Sequence, residues 1–392
     1  MEHLYEMLKQ VDGYIYPNEI ELHWGILIVL YPYITGLVAG AFILASLERV
    51  FKIKVLRPTY HLALLTALSF LIVAILPLVS HLGHPFRAYE IMTTPQIGSA
   101  MAIFGFVYLW YLMVVLLLEI WFDYRRDLVI WADQSKGLKR TIYKILTLGV
   151  TDISPKALAW DEKLGYIVTV IGIPSAFLLH GYVGFIFGSI KANPWWSTVL
   201  MPVIFLLSAM VSGIALVMFL YMIISWIRKV KIDMACLDEI GKFLFMVLIL
   251  DFTLESLDQV HRIYEAEESF EILHMLVNGK LNMTLFIFQG LMGTIIPLVI
   301  LGLFRMYLPK EKIRIPMYFL VSNLVLFGVF FMRWNVVIGG QLFSKSFLGF
   351  TSFKLGMIGA EGFLMALVWM IMPFLILSFI LWLVPPWKKH SE

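Results

Sequence analysis

Cysteine is almost missing: the 392-residue chain has one, Cys236. A single thiol cannot form a disulfide framework, a Cys-rich zinc site or a Cys-ligated iron–sulfur cluster. Charge is scarce, with 15% Asp, Glu, Lys and Arg, where a soluble domain carries about 25%. P-loop, zincin and catalytic-triad patterns are absent. So are Gly/Ser linkers, low-complexity tracts and clear repeats, and residues 1–392 read as a single domain. Met1–Glu21 is polar and mixed in charge, and does not read as a signal peptide. A membrane cytochrome b needs histidine pairs at matched depth. His61 and His180 sit near opposite faces of the membrane, so neither haem nor metal is expected in this chain. Nothing points to a nucleic-acid partner.

What the chain has is apolar length. Hydrophobic residues make up 60% and mean hydropathy is +0.86, the values of an integral membrane protein rather than a soluble domain. A membrane-crossing helix needs about 20 apolar residues. Nine runs qualify: 22–48, 58–80, 97–122, 163–189, 197–227, 237–260, 283–308, 315–333 and 357–385. The expected fold is an all-α polytopic membrane protein of about nine helices. Residues 123–162 form the longest connection, a polar stretch expected to lie partly on the membrane surface. Alternate connections hold 22 of the 30 Lys and Arg residues. The positive-inside rule then places the N-terminus outside and the C-terminus in the cytoplasm, in the cell membrane.

This topology gathers unusual residues near the outer face. His23 and Trp24 open the first run, and His81, His84 and Arg87 follow the second. His180 and Tyr182 lie in the outer half of the fourth, Trp195 and Trp196 follow it, and Arg333, Asn335 and Gln341 lie at or beyond the end of the eighth. Plain readings stand beside functional ones. The tryptophans suit an interfacial belt, Arg333 a snorkelling cation, and His81 and His84 solvated loop positions. His180 is set deeper, beside Gly181, Gly184 and Gly188, and needs a partner, a cavity or a ligand.

The sixth run holds Asp251, Glu255 and Asp258, spaced i, i+4, i+7 on one helical face. Acids inside a membrane are costly unless neutral, paired or wet. The row reads as a proton relay or hydrated half-channel, with Asp251 the deepest, or else as a seam salt-bridged to Arg333 or Arg262. Glu48, His61 and Glu119 form a smaller set near the inner ends of the first three runs, a second proton path or ordinary interfacial charge.

Four segments carry a family resemblance. They are "HLGHPFRAYEIMTTPQIGSAMAIFGFVYLWYL", "HGYVGFIFGSIKANPWWSTVLMPVIFLLSAMVSG", "YITGLVAGAF" and "RWNVVIGGQ". Together they resemble the NrfD/PsrC family of membrane subunits. The nearest branch is that of DsrP, from the Dsr transmembrane complex of sulfur-metabolising prokaryotes, and the HybB type is second. The resemblance implies two four-helix bundles, here about 22–189 and, with the last helix, 197–385. It implies menaquinone or menaquinol bound as substrate near the outer face, and a docked ferredoxin-like iron–sulfur subunit that exchanges electrons with it. Cytochrome c and cytochrome b subunits are further partners it suggests. The chain alone is then non-catalytic, or the quinone-reactive subunit of a menaquinol oxidoreductase complex in sulfur metabolism. Carried over, the quinone-lining tyrosine is Tyr182, twelve residues before Pro194. A quinone-contacting histidine of the family falls on Tyr31, with His23 a turn or two outward as its substitute. Arg333 and His180 join this site, and His81, His84 and Arg87 would meet the docked partner. Two other classes remain: a secondary transporter or proton channel using the acidic row, and a passive anchor for redox subunits.

Overall fold

In the computed structural model, residues 11–265 and 269–388 are described. The long apolar runs become long helices because every backbone group must be hydrogen-bonded within its own segment in lipid. Eight described helices are long and apolar enough to cross a membrane. These are α1 (Ile26–Arg49), α2 (Lys54–His81), α3 (Ala102–Gln134), α5 (Pro155–Gly188), α6 (Met201–Ile227), α9 (Met283–Tyr307), α10 (Glu311–Gln341) and α11 (Phe363–Leu383). The short helix α4 (Leu138–Leu146) lies between α3 and α5. The sixth expected run lies in α7 (Met234–Glu265), whose charged residues set it apart by composition. Its 32 residues give about 48 Å at 1.5 Å per residue, enough for a ninth crossing. Helix α8 (Phe270–Asn278) follows it.

Many large side chains exposed along these helices are apolar, among them Leu178, Phe185, Leu250, Leu375 and Phe379. Water would make that costly, whereas lipid tails make it free. Helix α1 is the exception, buried from Ile26 to Ser46. It packs on α2, α5, α6 and α10 and so forms the axis of the molecule. Neighbour contacts group α1, α2, α3 and α5 on one side and α6, α7, α9 and α10 on the other. Helix α11 follows the second group in the chain but leans on α2 of the first. The two groups meet most closely where α1 crosses α6. A Cβ on Gly213 would stand 2.4 Å from backbone atoms of Gly40 and Ala41, so this crossing requires glycine.

Two expectations change. Residues 123–162 are largely helical, as α3 runs on to Gln134 and α5 begins at Pro155. Between them α4 carries Lys139, Arg140 and Lys144 beside exposed Leu138 and Ile145, an amphipathic helix suited to an interface. Its Tyr143 hydroxyl donates to the Leu383 carbonyl at 2.8 Å. The eighth run does not end at Arg333: α10 keeps its helical hydrogen bonds through Val337, with Arg333 inside it and fully buried. The missing signal was tertiary, because the run looks short only where polar groups interrupt it.

A pair of two-residue strands, β1 (Asp12–Gly13) and β2 (Gly349–Phe350), pairs antiparallel, Asp12 opposite Phe350. It ties the segment before α1 to the loop after α10.

Candidate functional site

At the end of α1 away from Arg49, the loop between α5 and α6 is stapled to α10. The Trp195 and Trp196 indole N–H groups donate to the carbonyls of Asn335 (2.8 Å) and Val336 (2.6 Å). Asn193 donates to the Gly340 carbonyl at 2.6 Å, and a Cβ on Gly340 would lie 2.1 Å from the Trp196 nitrogen. Gln341 exchanges two 3.0 Å bonds with the backbone of Trp24, whose ring stacks on Trp196 at 5.2 Å. Trp195 and Trp196 are buried and bonded, so the interfacial-belt reading does not hold for them. His23 is exposed beside this staple.

One to two turns deeper, Tyr31 of α1, Phe104 of α3 and Tyr182 of α5 form an aromatic set. The Phe104 ring meets Tyr31 edge-on at 5.2 Å and lies near-parallel to Tyr182 at 6.4 Å. The Tyr182 hydroxyl donates to the Ala100 carbonyl at 2.7 Å, whereas the Tyr31 hydroxyl is buried without a hydrogen-bond partner. Of the two, Tyr31 therefore has the free donor.

His180 is only two residues from Tyr182, yet faces elsewhere. Two residues are about 200° around a helix, and His180 points to the junction of α1, α5, α6 and α10. Arg333 donates to His180 Nε2 at 2.9 Å and to Ser208 Oγ at 2.8 Å, and lies 3.9 Å from the Phe205 ring centroid. Arginine has no acceptor, so Nε2 accepts and the neutral ring carries its proton on Nδ1, which is buried and unpartnered. Expected to share a quinone site with Tyr182, His180 and Arg333 form a separate buried cluster. The snorkelling reading of Arg333 also fails, because it is fully buried.

The acidic row does share one face. Asp258 accepts from Thr198 (2.7 Å) and from Arg262 on its own helix (2.9 Å). Arg262 also binds the Pro194 carbonyl. Glu255 accepts from Gln289 at 3.1 Å, and Gln289 accepts from Asn335 at 2.8 Å. Asp251 is buried, with Oδ1 unpartnered. So Asp258 is the salt-bridged member, while Asp251 and Glu255 have no cation within 4 Å among the described residues. A cavity of about 390 Å³ runs along the outer part of the row, lined by Glu255, Asp258, Gln289 and Asn335.

The second acid set lies at the opposite, Arg49 end of α1. Glu119 is fully buried, accepts from Thr169 at 2.7 Å, lies 3.4 Å from the Tyr60 hydroxyl oxygen, and leaves Oε2 unpartnered. The Tyr60 hydroxyl also donates to Asp123 at 2.8 Å, His61 lies 3.7 Å from Asp123, and Arg49 pairs with it. Glu48 is partly buried and has interactions of its own. Sequence reasoning missed Asp123, the hub of this set, although its i, i+4 spacing from Glu119 was a usable signal. It also missed Gln289, Thr198, Ser208 and Phe104, which carry no signal until helices pack.

The loop candidates are partly occupied. His81 bonds Glu361 at 2.6 Å. Arg87 pairs with Glu90 at 2.7 Å and holds that carboxyl below the usual carboxylate range, so it is not a free cation. His84 is exposed, and among the described residues its ring has no partner.

A family model described as "Polysulphide reductase, NrfD" matches residues 17–345. The chain belongs to the NrfD family. It is 35% identical to a subunit of the selenate reductase of Mesobacillus selenatarsenatis over 59% of the chain and 55% of that protein, so the match spans about half of that relative. A putative dimethyl sulfoxide reductase membrane subunit of Halobacterium salinarum is 28% identical, over 81% of this chain and 69% of its own. The NrfD homolog of Haemophilus influenzae is 25% identical, over 82% and 95%. As an NrfD protein with multiple crossing helices, the chain is an integral multi-pass membrane protein. The family match covers both acid sets, the aromatic set and the tryptophan staple.

Proposed function

We propose that this NrfD protein is the quinone-exchanging membrane subunit of a respiratory reductase complex in the cytoplasmic membrane. The observation that carries the reading is the Tyr31 hydroxyl, buried without a partner against Phe104 and beside Tyr182. A quinone head group is a flat ring whose carbonyls only accept hydrogen bonds. The set offers what such a ring needs: aromatic faces and one uncommitted donor. The bound quinone, menaquinone in our reading, supplies a two-electron, two-proton redox step.

This chain's residues then bind, orient and move protons. Tyr31 fixes the ring through its hydroxyl, and Phe104 and Tyr182 hold its plane. Asp251 and Glu255 accept and pass protons toward the cavity at Asp258, with Arg333 steadying their charge and His180 steadying Arg333. The exposed stretch from His81 to Arg87 meets a ferredoxin-like iron–sulfur subunit at the outer face. Two relatives are named as subunits of selenate and dimethyl sulfoxide reductases, which supports a complex acting on an oxidised chalcogen compound; sulfur metabolism is the branch we favour.

Gentle detergent purification with extraction of bound quinone tests this directly. Stoichiometric menaquinone and co-purifying iron–sulfur or cytochrome partners are expected. A quinone-free chain purified without redox partners, whose Tyr31→Phe variant titrates with quinone like the parent, would leave a transporter or a passive anchor as the better reading.

A further inference from the structure

The face that carries Arg49 holds an open cavity of about 840 Å³. It lies among the ends of α1, α2, α3, α5 and α6 and the segment after α11. Its arginines are of two kinds. Arg49 is committed to Asp123 and Tyr60. Arg57, Arg126 and Arg228 line the same space and, among the described residues, have no carboxylate within 4 Å. Two acids on the wall are held by arginines outside this trio: Asp123 by Arg49 and Asp161 by Arg125 at 2.5 Å. Asp127, which has interactions of its own, and Glu162 are the remaining acids on the wall, beside three guanidinium groups. The Arg228 guanidinium lies 4.0 Å from the Trp387 ring centroid, which orients it at the rim. Leu62, Phe122, Leu158 and Ile224 complete the wall with apolar surface.

Arg57, Arg126 and Arg228 outnumber the two wall carboxylates, Asp127 and Glu162, that neither Arg49 nor Arg125 holds. Such an excess of guanidinium calls for an anion, and the planar forks match phosphate oxygens two at a time. The cavity opens where the crossing helices end, and basic pockets between such helices take acidic lipid head groups. It is also far roomier than a bare phosphate ion needs, and its apolar wall suits the glycerol and first acyl carbons. We infer that this cavity binds the phosphate of an acidic phospholipid through Arg57, Arg126 and Arg228, joining α2, α3 and α6. Free phosphate shares the head-group chemistry but has no use for the apolar wall.

The test uses the full chain, purified with whatever subunits accompany it and then delipidated in mild detergent. It is titrated separately with phosphatidylglycerol, phosphatidylcholine and inorganic phosphate, reading the thermal midpoint and lipid retained per protein. Phosphatidylglycerol should raise the midpoint saturably, while the other two leave it unmoved. Arg57→Gln, Arg126→Gln and Arg228→Gln combined should weaken phosphatidylglycerol binding at least tenfold, and the matching lysine variants should restore part of it. Lys139→Gln, Arg140→Gln and Lys144→Gln, on the exposed helix α4, should leave it unchanged. If the glutamine triple variant does not fold, Arg126→Gln and Arg228→Gln singly carry the comparison. Equal loss in the cavity and α4 variants would overturn the site, as would full binding in the cavity variants. An equal response to inorganic phosphate would overturn the lipid assignment.

Discussion

Tyr31 and Tyr182 differ in what their hydroxyls already do. Tyr31→Phe removes a donor that no protein group uses, so its cost falls on the ligand: about 0.5–1.5 kcal/mol, or roughly two- to tenfold in quinone affinity. Tyr182→Phe strips the Ala100 carbonyl at the start of α3, and should lower the thermal midpoint more than the quinone affinity. Quinone titration and melting of both variants check this, and the opposite ranking would move the ring to the Tyr182 side. Asp251 is the second residue-scale test. Its Oδ1 has no partner to lose, so Asp251→Asn should fold and bind quinone normally. If the acid is an obligatory carrier, quinol turnover should fall on the order of a hundredfold. Parental turnover in Asp251→Asn, with unfolding in Asp251→Leu, would make the acid structural. Although Asp123 and Phe104 were not singled out, several candidate residues were visible in the sequence. Their pairing was not: Arg262 four residues after Asp258 was visible, but Arg333 choosing His180 over any acid was not.

At the scale of helices, the α1–α6 crossing depends on two glycines facing each other. Gly213→Ala would place a Cβ 2.4 Å from Gly40 backbone atoms, and backbone cannot give as a side chain can. A loss of about 1–3 kcal/mol or more is expected, with the midpoint falling accordingly. Gly181→Ala is the control, because nothing lies within 4 Å of its added methyl. A midpoint loss at Gly181 equal to that at Gly213 would mean that helix packing is not what the crossing glycine supplies. Sequence runs located the helices because apolar length and period are local properties. The run at 315–333 came out short because Arg333 and Asn335 look like an end, and only their burial among α5, α6 and α9 lets α10 continue.

For the whole molecule, a crossing by α7 in addition to the eight helices long and apolar enough among the described residues would put the two termini on opposite sides. The 22 basic residues in alternate connections then predict the face around Arg49 on the cytoplasmic side. Cys236 is buried and gives a silent background for labelling. In intact cells, a membrane-impermeant maleimide should label Lys191→Cys and Lys354→Cys, and should reach Lys139→Cys and Lys310→Cys only after the membrane is opened. Labelling of both sets from the same side would end the nine-helix topology. The same arrangement sets the acidic row and aromatic set at one face and the Asp123 set at the other, with α1 buried between them.

By itself the sequence determined the membrane class, the approximate bounds of eight crossing helices, the face shared by Asp251, Glu255 and Asp258, and the family. Each follows from hydrophobic length, helical period or motif, which are readable in a short window. Tertiary structure alone decided which polar atoms are paired and which are left open. Gln341 reaches Trp24 across 317 residues of chain and Arg333 reaches His180 across 153. Such pairings depend on how helices pack, since an intramembrane polar group takes whichever partner the neighbouring helix brings within hydrogen-bond distance. The free Tyr31 hydroxyl, the unpartnered Asp251 oxygen and the arginines left without a carboxylate on the Arg49 face are what that packing leaves over.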